Sequence, residues 1–465
     1  MTSQNGAGAN KKIILIITTT TAFILPFLIS SVTIALPVMA QDLQMEAVVM
    51  SWITTSYFLA LVMVQVPCGR LSDIYGRKKL FIVGLVISFL ASLLGGFANS
   101  VPVLIISRVF QGLGSGMTLN NSVAILTSVF PREERAKALG ISQSGTYLGL
   151  SLGPLIGGLM TEHIGWHSIF LASGGLCIFL VILVLWGLKA EWHEAKGEKF
   201  DVIGTTVYMI AIAAFMYGFS SQPDKLGIIL FAAGVLGLVF FVWWELKTPS
   251  PVFDLTLFSK NRVFMLSNVA ALINYISTFA ISFLASLYLQ YITCLTPSDA
   301  GKELIIPSIL MTIFTVLSGY ISQRYHPRLV ATAGIMLNCV ATIMLIFLGE
   351  STSIWYIRFA LCFYGIGNGL FVSPNTNITM GSVESRGLAV ASGTLGTMRN
   401  AGMMLSMGIT MILFSLYIGG SQITPANHPE FLASFKTGFI LFSIIGFGGV
   451  IAQMVARRAG KQPVS

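Results

Sequence analysis

The chain has 465 residues, 55% of them hydrophobic and only 10% charged, with a mean hydropathy of +0.82. A soluble domain carries about 25% charged residues, so this composition excludes a soluble globular protein and points to a polytopic membrane protein. The net charge of +9 does not signal nucleic-acid binding, because the basic residues fall in short connections between apolar runs. The cysteines (Cys68, Cys177, Cys294, Cys339 and Cys362) stand apart, mostly in or beside apolar runs. Neither a disulfide framework nor a metal-ligand spacing is present, so no metal and no cofactor are expected.

A short polar N-terminus leads through Lys11 and Lys12 into an apolar run that ends near Pro37. That run exceeds the about 7–15 residues of a secretory signal core and reads as an uncleaved first helix. A spanning helix needs about 20 apolar residues, and the chain holds roughly fourteen such segments. They run over about 13–36, 48–68, 79–98, 102–126, 138–160, 166–188, 202–220, 226–245, 263–290, 300–323, 328–348, 353–376, 388–418 and 433–456. The stretch 202–245 reads either as two helices or as one helix and a re-entrant piece.

Lys and Arg set the orientation. With an even count and both termini cytoplasmic, the inner connections hold Arg70, Arg77, Lys78, Lys79, Arg132, Arg135 and Lys137. Further along they hold Lys189, Lys196, Lys199, Lys247, Lys260, Arg262, Arg324, Arg328 and Arg386, then Arg457, Arg458 and Lys461. The outer side keeps Lys225, Lys302 and Lys436.

The chain also repeats itself. Gly69-x-x-Ser72 returns as Gly319-x-x-Ser322, followed again by basic residues at Arg324 and Arg328. The pattern Arg108-Val-Phe-Gln-Gly112-Leu-Gly114-Ser-Gly116 returns as Leu361-Cys-Phe-Tyr-Gly365-Ile-Gly367-Asn-Gly369. An offset of about 250 residues suits one half of a transporter built from two parallel repeats. The expected organisation is all-α: a six-helix bundle in 1–190, a linker with two additional helices in 191–261, and a second six-helix bundle in 262–465. Charged positions diverge between the halves: Asp73 faces Gln323 in the alignment, and Arg108 faces Leu361.

Several stretches have the makings of function. Gly69–Leu80, GRLSDIYGRKKL, is a charged break between two apolar runs. Asp73 and Arg77 are four apart and would face each other on a helical turn, while Gly69 and Gly76 allow helix ends to approach. Taken alone, such a loop need only fix orientation. Arg108 lies inside an apolar helix, where a charge costs a few kcal/mol and calls for a polar partner or cavity; a snorkelling arginine near a helix end is the plainer reading. The fifth segment carries Gly145, Gly149, Gly153-Pro154 and Gly157-Gly158. Glycines four apart make a smooth ridge, and Pro154 removes a backbone hydrogen bond.

On these residues the chain resembles a major facilitator superfamily transporter of the fourteen-helix drug:proton antiporter group. GRLSDIYGRKK is similar to the signature between helices 2 and 3, LIISRVFQGLGSG to that of helix 4, and GTYLGLSLGPLIGG to the antiporter signature of helix 5. Ala35-Leu36-Pro37 ends helix 1 as in that group, and Gly393 to Gly402, with Arg399 and Asn400, resembles its helix 13 pattern. The resemblance implies multidrug efflux across the cell membrane by alternating access, in exchange for protons. It implies that Gly69, Asp73, Gly76 and Arg77 form a conformational latch and that Arg108 takes part in proton coupling. It further implies that Gly145, Gly149, Gly153, Pro154 and Gly157 form a pliant interface between halves.

One departure stands out. The group's helix 1 usually carries an Asp before the Ala-Leu-Pro, and Leu28 occupies that place here. No Asp, Glu or His falls near the middle of an expected span. Asp299 and Glu303, one turn apart at the outer end of the tenth segment, are the nearest titratable candidates for coupling; both also fit as solvated end residues. With Arg108 and Arg399 as the buried charges, a neutral or anionic amphiphile is expected rather than a cation. Gln65, Asn120, Gln143, Asn274, Tyr288, Asn338 and Asn375 are candidate lining residues, although each taken singly fits helix–helix glue better than a ligand contact. The expected partners are a small-molecule substrate, protons and the bilayer, with no nucleic acid, and the chain is expected to act as a monomer. A dedicated exporter or importer of one metabolite and a non-transporting membrane sensor remain alternatives. No nucleophile–base set or phosphate loop supports an enzyme.

Overall fold

In a bilayer the backbone must satisfy its own hydrogen bonds, so apolar runs of this length become helices. A computed structural model describes residues 11–193, 195, 197–222, 224–248, 251–252, 258, 261–383 and 388–459. Lys196, Lys260, Arg386 and Lys461 lie outside the described residues, as do the side chains of Arg132, Lys137, Arg457 and Arg458. The described residues form fourteen α-helices and no strand. The first six are α1 (Lys11–Asp42), α2 (Ala47–Tyr75), α3 (Arg77–Gly96), α4 (Val101–Val129), α5 (Arg132–His163) and α6 (His167–Gly187). Two more, α7 (Val202–Ser220) and α8 (Lys225–Glu245), follow a connection, which resolves the 202–245 stretch into two full helices. The last six are α9 (Arg262–Leu287), α10 (Pro297–Arg324), α11 (Pro327–Leu345), α12 (Ile354–Gly381), α13 (Leu388–Tyr417) and α14 (His428–Ala459). A π-helical turn, Tyr288–Ile292, closes α9.

Eleven of these helices are long and apolar enough to cross a membrane by length and composition. The three that fall short, α4, α5 and α12, bear the glycine-rich and polar motifs, which dilute their hydropathy. Several helices outrun their apolar windows. α2 continues to Tyr75, so most of the charged stretch is helical and the break shrinks to Gly76, whose φ of +116° suits a residue without a side chain.

The two sets of six pack by one plan. In the first bundle α1 lies on α5 and α6, α4 on α2 and α3, and α3 on α6. In the second, α9 lies on α13 and α14, α12 on α10 and α11, and α11 on α14. The repeated glycines make the correspondence concrete. A Cβ on Gly112 would meet the Tyr57 carbonyl, and one on Gly365 the Pro307 carbonyl. Gly114 sits on Gly84 and Ser88, and Gly367 on Gly334 and Asn338; Gly116 meets Leu61, and Gly369 meets Met311. Two pseudo-symmetric six-helix bundles with two inserted helices are therefore the architecture. The bundles meet along α2–α13 and α5–α10, two seams that exchange under the repeat. The insert caps one of them: α7 touches α2 through the Tyr208 hydroxyl on the Val62 carbonyl (3.0 Å) and touches α13 where Met216 and Phe219 pack on Gly408.

Candidate functional site

The charged stretch is built by the end of α2 and the start of α3. Asp73 and Arg77 face each other as helical spacing dictates. Arg77 donates to Asp73 Oδ1 from Nε (3.0 Å) and Nη2 (2.8 Å), and its Nη1 donates to Ser128 Oγ on α4 (2.6 Å). Arg77 is buried although charged, so these bonds replace the water it gave up. Gly69 lies next to Asn120 of α4. The hydrogen bonds described for this pair stay in the first bundle. Further described partners of the stretch come from the segment after α6, where Glu191, Trp192, Ala195 and Glu198 bond to it.

Arg108 is fully buried in α4. Its Nε donates to the Ile53 carbonyl of α2 (3.1 Å), its Nη1 donates to Gln111 Oε1 (2.7 Å), and its guanidinium lies 4.5 Å from the Tyr57 ring centroid. Gln111 in turn donates to Ser92 Oγ of α3 (2.9 Å). This is a held arginine and not a snorkelling one. Gln111 also lines a small internal cavity with Ser88, Ser92, Ser115 and Ser173.

The glycine ridge of α5 finds α1. Cβ atoms on Gly145, Gly149, Gly153 and Gly157 would strike Thr19, Phe23, Ser30 and Ser31 in turn, and Ser31 Oγ donates to the Gly153 carbonyl (2.9 Å). The ridge therefore packs inside the first bundle rather than across the seam. The seam itself is served by Pro154, whose carbonyl abuts Gly301 of α10, and by Gly158, which abuts Pro297 and Ser298.

The end of the molecule that carries the α1–α2 and α9–α10 connections is closed between bundles. Gln290 Nε2 donates to the Ile34 carbonyl (2.9 Å), Ser286 Oγ to the Thr33 carbonyl (3.1 Å), and the Ser298 amide to Glu162 Oε2 (3.1 Å). Ala47 N–H donates to the Ser421 carbonyl (3.1 Å), and Gln422 bonds to Gln44 (3.0 Å). One apolar cluster draws on both bundles there, including Leu36, Met39, Leu284 and Phe414. Toward the opposite end, which carries the α2–α3 turn, the last described cross-bundle bond runs from Asn400 Nδ2 to Gln65 Oε1 (2.8 Å).

The remaining candidates divide. Gln65 and Asn120 meet at the α2–α13 seam, where Asn120 donates to the Gln65 carbonyl. Gln143 is exposed on α5. Asn274 and Asn338 bond to each other (3.0 Å), and Asn274 also donates to Asn368 (3.2 Å), all within the second bundle. Asn375 is buried in α12, and the Tyr288 hydroxyl donates to the Gly349 carbonyl (2.5 Å) at the closed end. Asp299 is exposed and paired with Lys302 (2.7 Å), while Glu303 is held by both arms of Arg358 (2.7 and 2.6 Å). Neither carboxylate meets Arg108, which lies in the other bundle.

Sequence reasoning passed over several groups. Arg358 lies 55 residues from Glu303, and nothing in the spacing joins them. Tyr147 of α5 faces Thr315 of α10 and Tyr275 of α9, and Tyr275 faces Arg399 of α13. These tyrosines sit in apolar runs, where an aromatic reads as core or lipid contact. Together with Gln65, Asn400, Ser151 and Thr312 they place polar and aromatic groups of both bundles at mid-seam, with Ser151 and Thr312 hydroxyls 3.4 Å apart.

A sequence profile described as Major Facilitator Superfamily matches residues 18–407. Riboflavin transporter RibZ of Clostridioides difficile is 26% identical over 436 residues, spanning 93% of this chain and 94% of that protein. Multidrug resistance protein Stp of Mycobacterium tuberculosis is 28% identical over 389 residues, spanning 81% of this chain and 71% of Stp. Among solved structures, an inward-facing, unoccupied bacterial homologue of the human lysosomal transporter Spinster superposes with a TM-score of 0.69 at 15% identity, covering 96% of this chain and 97% of that one. A peptide transporter, POT, in complex with sulfate superposes at 0.71 and 15% identity, covering 96% and 95%.

Proposed function

This chain belongs to the major facilitator superfamily, and from that premise we propose that it exports hydrophobic or amphiphilic small molecules, as a multidrug pump does, in exchange for protons. It is a multi-pass membrane transporter with a small-molecule substrate. The finer reading rests on one observation. Polar and aromatic side chains of both bundles gather at mid-seam around Arg399, and among the described residues every Asp and Glu lies in a connection or within two turns of a helix end. A mid-membrane site with a cation and no carboxylate favours neutral and anionic solutes over organic cations. Tyrosine faces add stacking surface for flat, apolar ones.

Alternating access follows from the way the seam is made. The described cross-bundle bonds concentrate at one end, so rocking the bundles about mid-seam would break those and open that end. Positive-inside placement assigns the α2–α3 turn to the cytoplasm. Arg108 is the proposed coupling residue of the first bundle. Glu303 with Arg358, and Asp299 with Lys302, are the proposed proton-responsive pairs of the second. Several multidrug and resistance proteins are among the relatives, which supports efflux. Similarity to a riboflavin transporter along nearly the whole chain favours a second reading, a dedicated carrier of one flat heterocyclic solute.

Purified protein in proteoliposomes, with an imposed pH gradient and a panel of cationic, neutral and anionic amphiphiles plus riboflavin, tests both. We expect neutral and anionic amphiphiles to move against proton flux. Movement of riboflavin alone would select the second reading, and no movement above protein-free vesicles would reject both.

A further inference from the structure

The segment between α6 and α7 does more than join bundles. Residues 188–193, 195, 197 and 198 fold back across the α2–α3 turn and bond to it repeatedly. Arg77 N–H donates to the Trp192 carbonyl (3.1 Å), and Ala195 N–H donates to the Asp73 carbonyl (3.0 Å). Lys78 N–H donates to Glu191 Oε1 (2.7 Å), and Lys78 Nζ donates to the Leu188 carbonyl. His193 Nδ1 lies 3.3 Å from the Ile74 carbonyl, and Arg70 pairs with Glu198. Trp192 fixes the segment from below: it is buried in a cluster with Phe81, Phe130 and Leu188. Gly76 is fitted to it as well. A Cβ there would lie 2.6 Å from Glu191 Cδ, so the Glu191 side chain occupies the space that a side chain at position 76 would need.

We infer that Glu191 is a positioning residue for the Asp73–Arg77 latch, and that the strap formed by these described residues holds the latch to its own bundle while the far end of the seam is closed. The inference rests on the proposed reading of Asp73 and Arg77 as a latch. The chain runs from this strap directly into α7, which touches both α2 and α13. The strap thus ties the latch to the helix that spans the seam. One charge pair joins strap and turn, Glu198 with Arg70, while Glu191 accepts from the Lys78 backbone N–H and the turn's own acid, Asp73, is turned to Arg77. When the bundles rock and the latch end closes, the turn must face the second bundle, and the strap competes for the same backbone and side-chain groups. Loosening the strap therefore favours closure at the latch end.

Spin labels at Ile141 of α5 and Tyr320 of α10, both exposed, report the width of the latch end. They are placed in a background in which the five native cysteines are replaced. In bilayers, Glu191→Ala should raise the short-distance fraction at least threefold and lower substrate turnover, with elution profile and helicity unchanged. Glu191→Gln, whose amide oxygen still accepts from Lys78 N–H, should restore most of both. Glu198→Ala removes an exposed side chain and should shift the distances the same way, which keeps the test valid if Glu191→Ala does not fold. A distribution in these alanine variants that is unchanged or longer than wild type overturns the inference. Asp73→Asn is measured alongside. If it alters distances and turnover while the strap variants do not, only the strap role falls; if it alters neither, the latch reading falls with it.

Discussion

Arg108 sits at full burial without a carboxylate among its described partners, and the surroundings explain how. The guanidinium fork is met by the Ile53 carbonyl and Gln111, and its face by Tyr57. A cation over an aromatic ring contributes about 0.5–2 kcal/mol, and charge-assisted hydrogen bonds about 1.5–3 kcal/mol each. Arg108→Lys keeps the charge but loses the planar fork and the stacking. Losing one such bond is worth roughly ten- to a hundredfold, and transport in proteoliposomes should fall by that much while the protein stays folded. A lysine variant that transports at the wild-type rate would reduce Arg108 to a bare charge. The same reasoning separates the coupling candidates. Glu303 is held bidentately by a partly exposed Arg358, with the carboxylate itself largely buried, whereas Asp299 and Lys302 pair in the open. Exposed pairs contribute little. Glu303→Gln should therefore weaken pH-driven transport more than Asp299→Asn does, measured as initial rates at matched gradients.

At the scale of elements, glycine does the positioning. Gly112 and Gly116 set α4 against α2, Gly114 sets it against α3, and Gly365, Gly369 and Gly367 do the same for α12. Inserting a methyl into so close a contact costs about 1–3 kcal/mol. Gly112→Ala and Gly365→Ala should each lower the melting temperature of the detergent-solubilised protein. Gly175→Ala, with no neighbour within 4 Å, should not. Much of this was legible beforehand. Apolar runs announced the helices, and the GxGxG repeat announced matching halves, because both signals are local. What a smooth face packs against is not local. The α5 ridge promised a close approach, but only the fold shows that α1 receives it and that Pro154 and Gly158 reach α10. The helical extension of α2 through Ser72 and Asp73 was hidden by polarity, since the apolar window ends before the helix does. Likewise the asparagines looked alike in sequence. Three-dimensional placement sent Gln65 and Asn120 to the seam and Asn274 and Asn338 to the interior of the second bundle.

For the whole molecule, the central claim is that two similar bundles rock about a shared seam. The fold carries the pieces: repeated packing, two exchangeable seams, an end closed by both backbone and side-chain bonds, and an insert laid along α2 and α13. Gln44 and Gln422 bond across the closed end at 3.0 Å. The most direct measurement is therefore transport after Gln44→Cys and Gln422→Cys are joined by a cleavable bifunctional thiol reagent, in a background without the native cysteines. The account predicts that cross-linked protein in proteoliposomes loses transport and regains it on cleavage. Undiminished transport with the two positions still joined would contradict it.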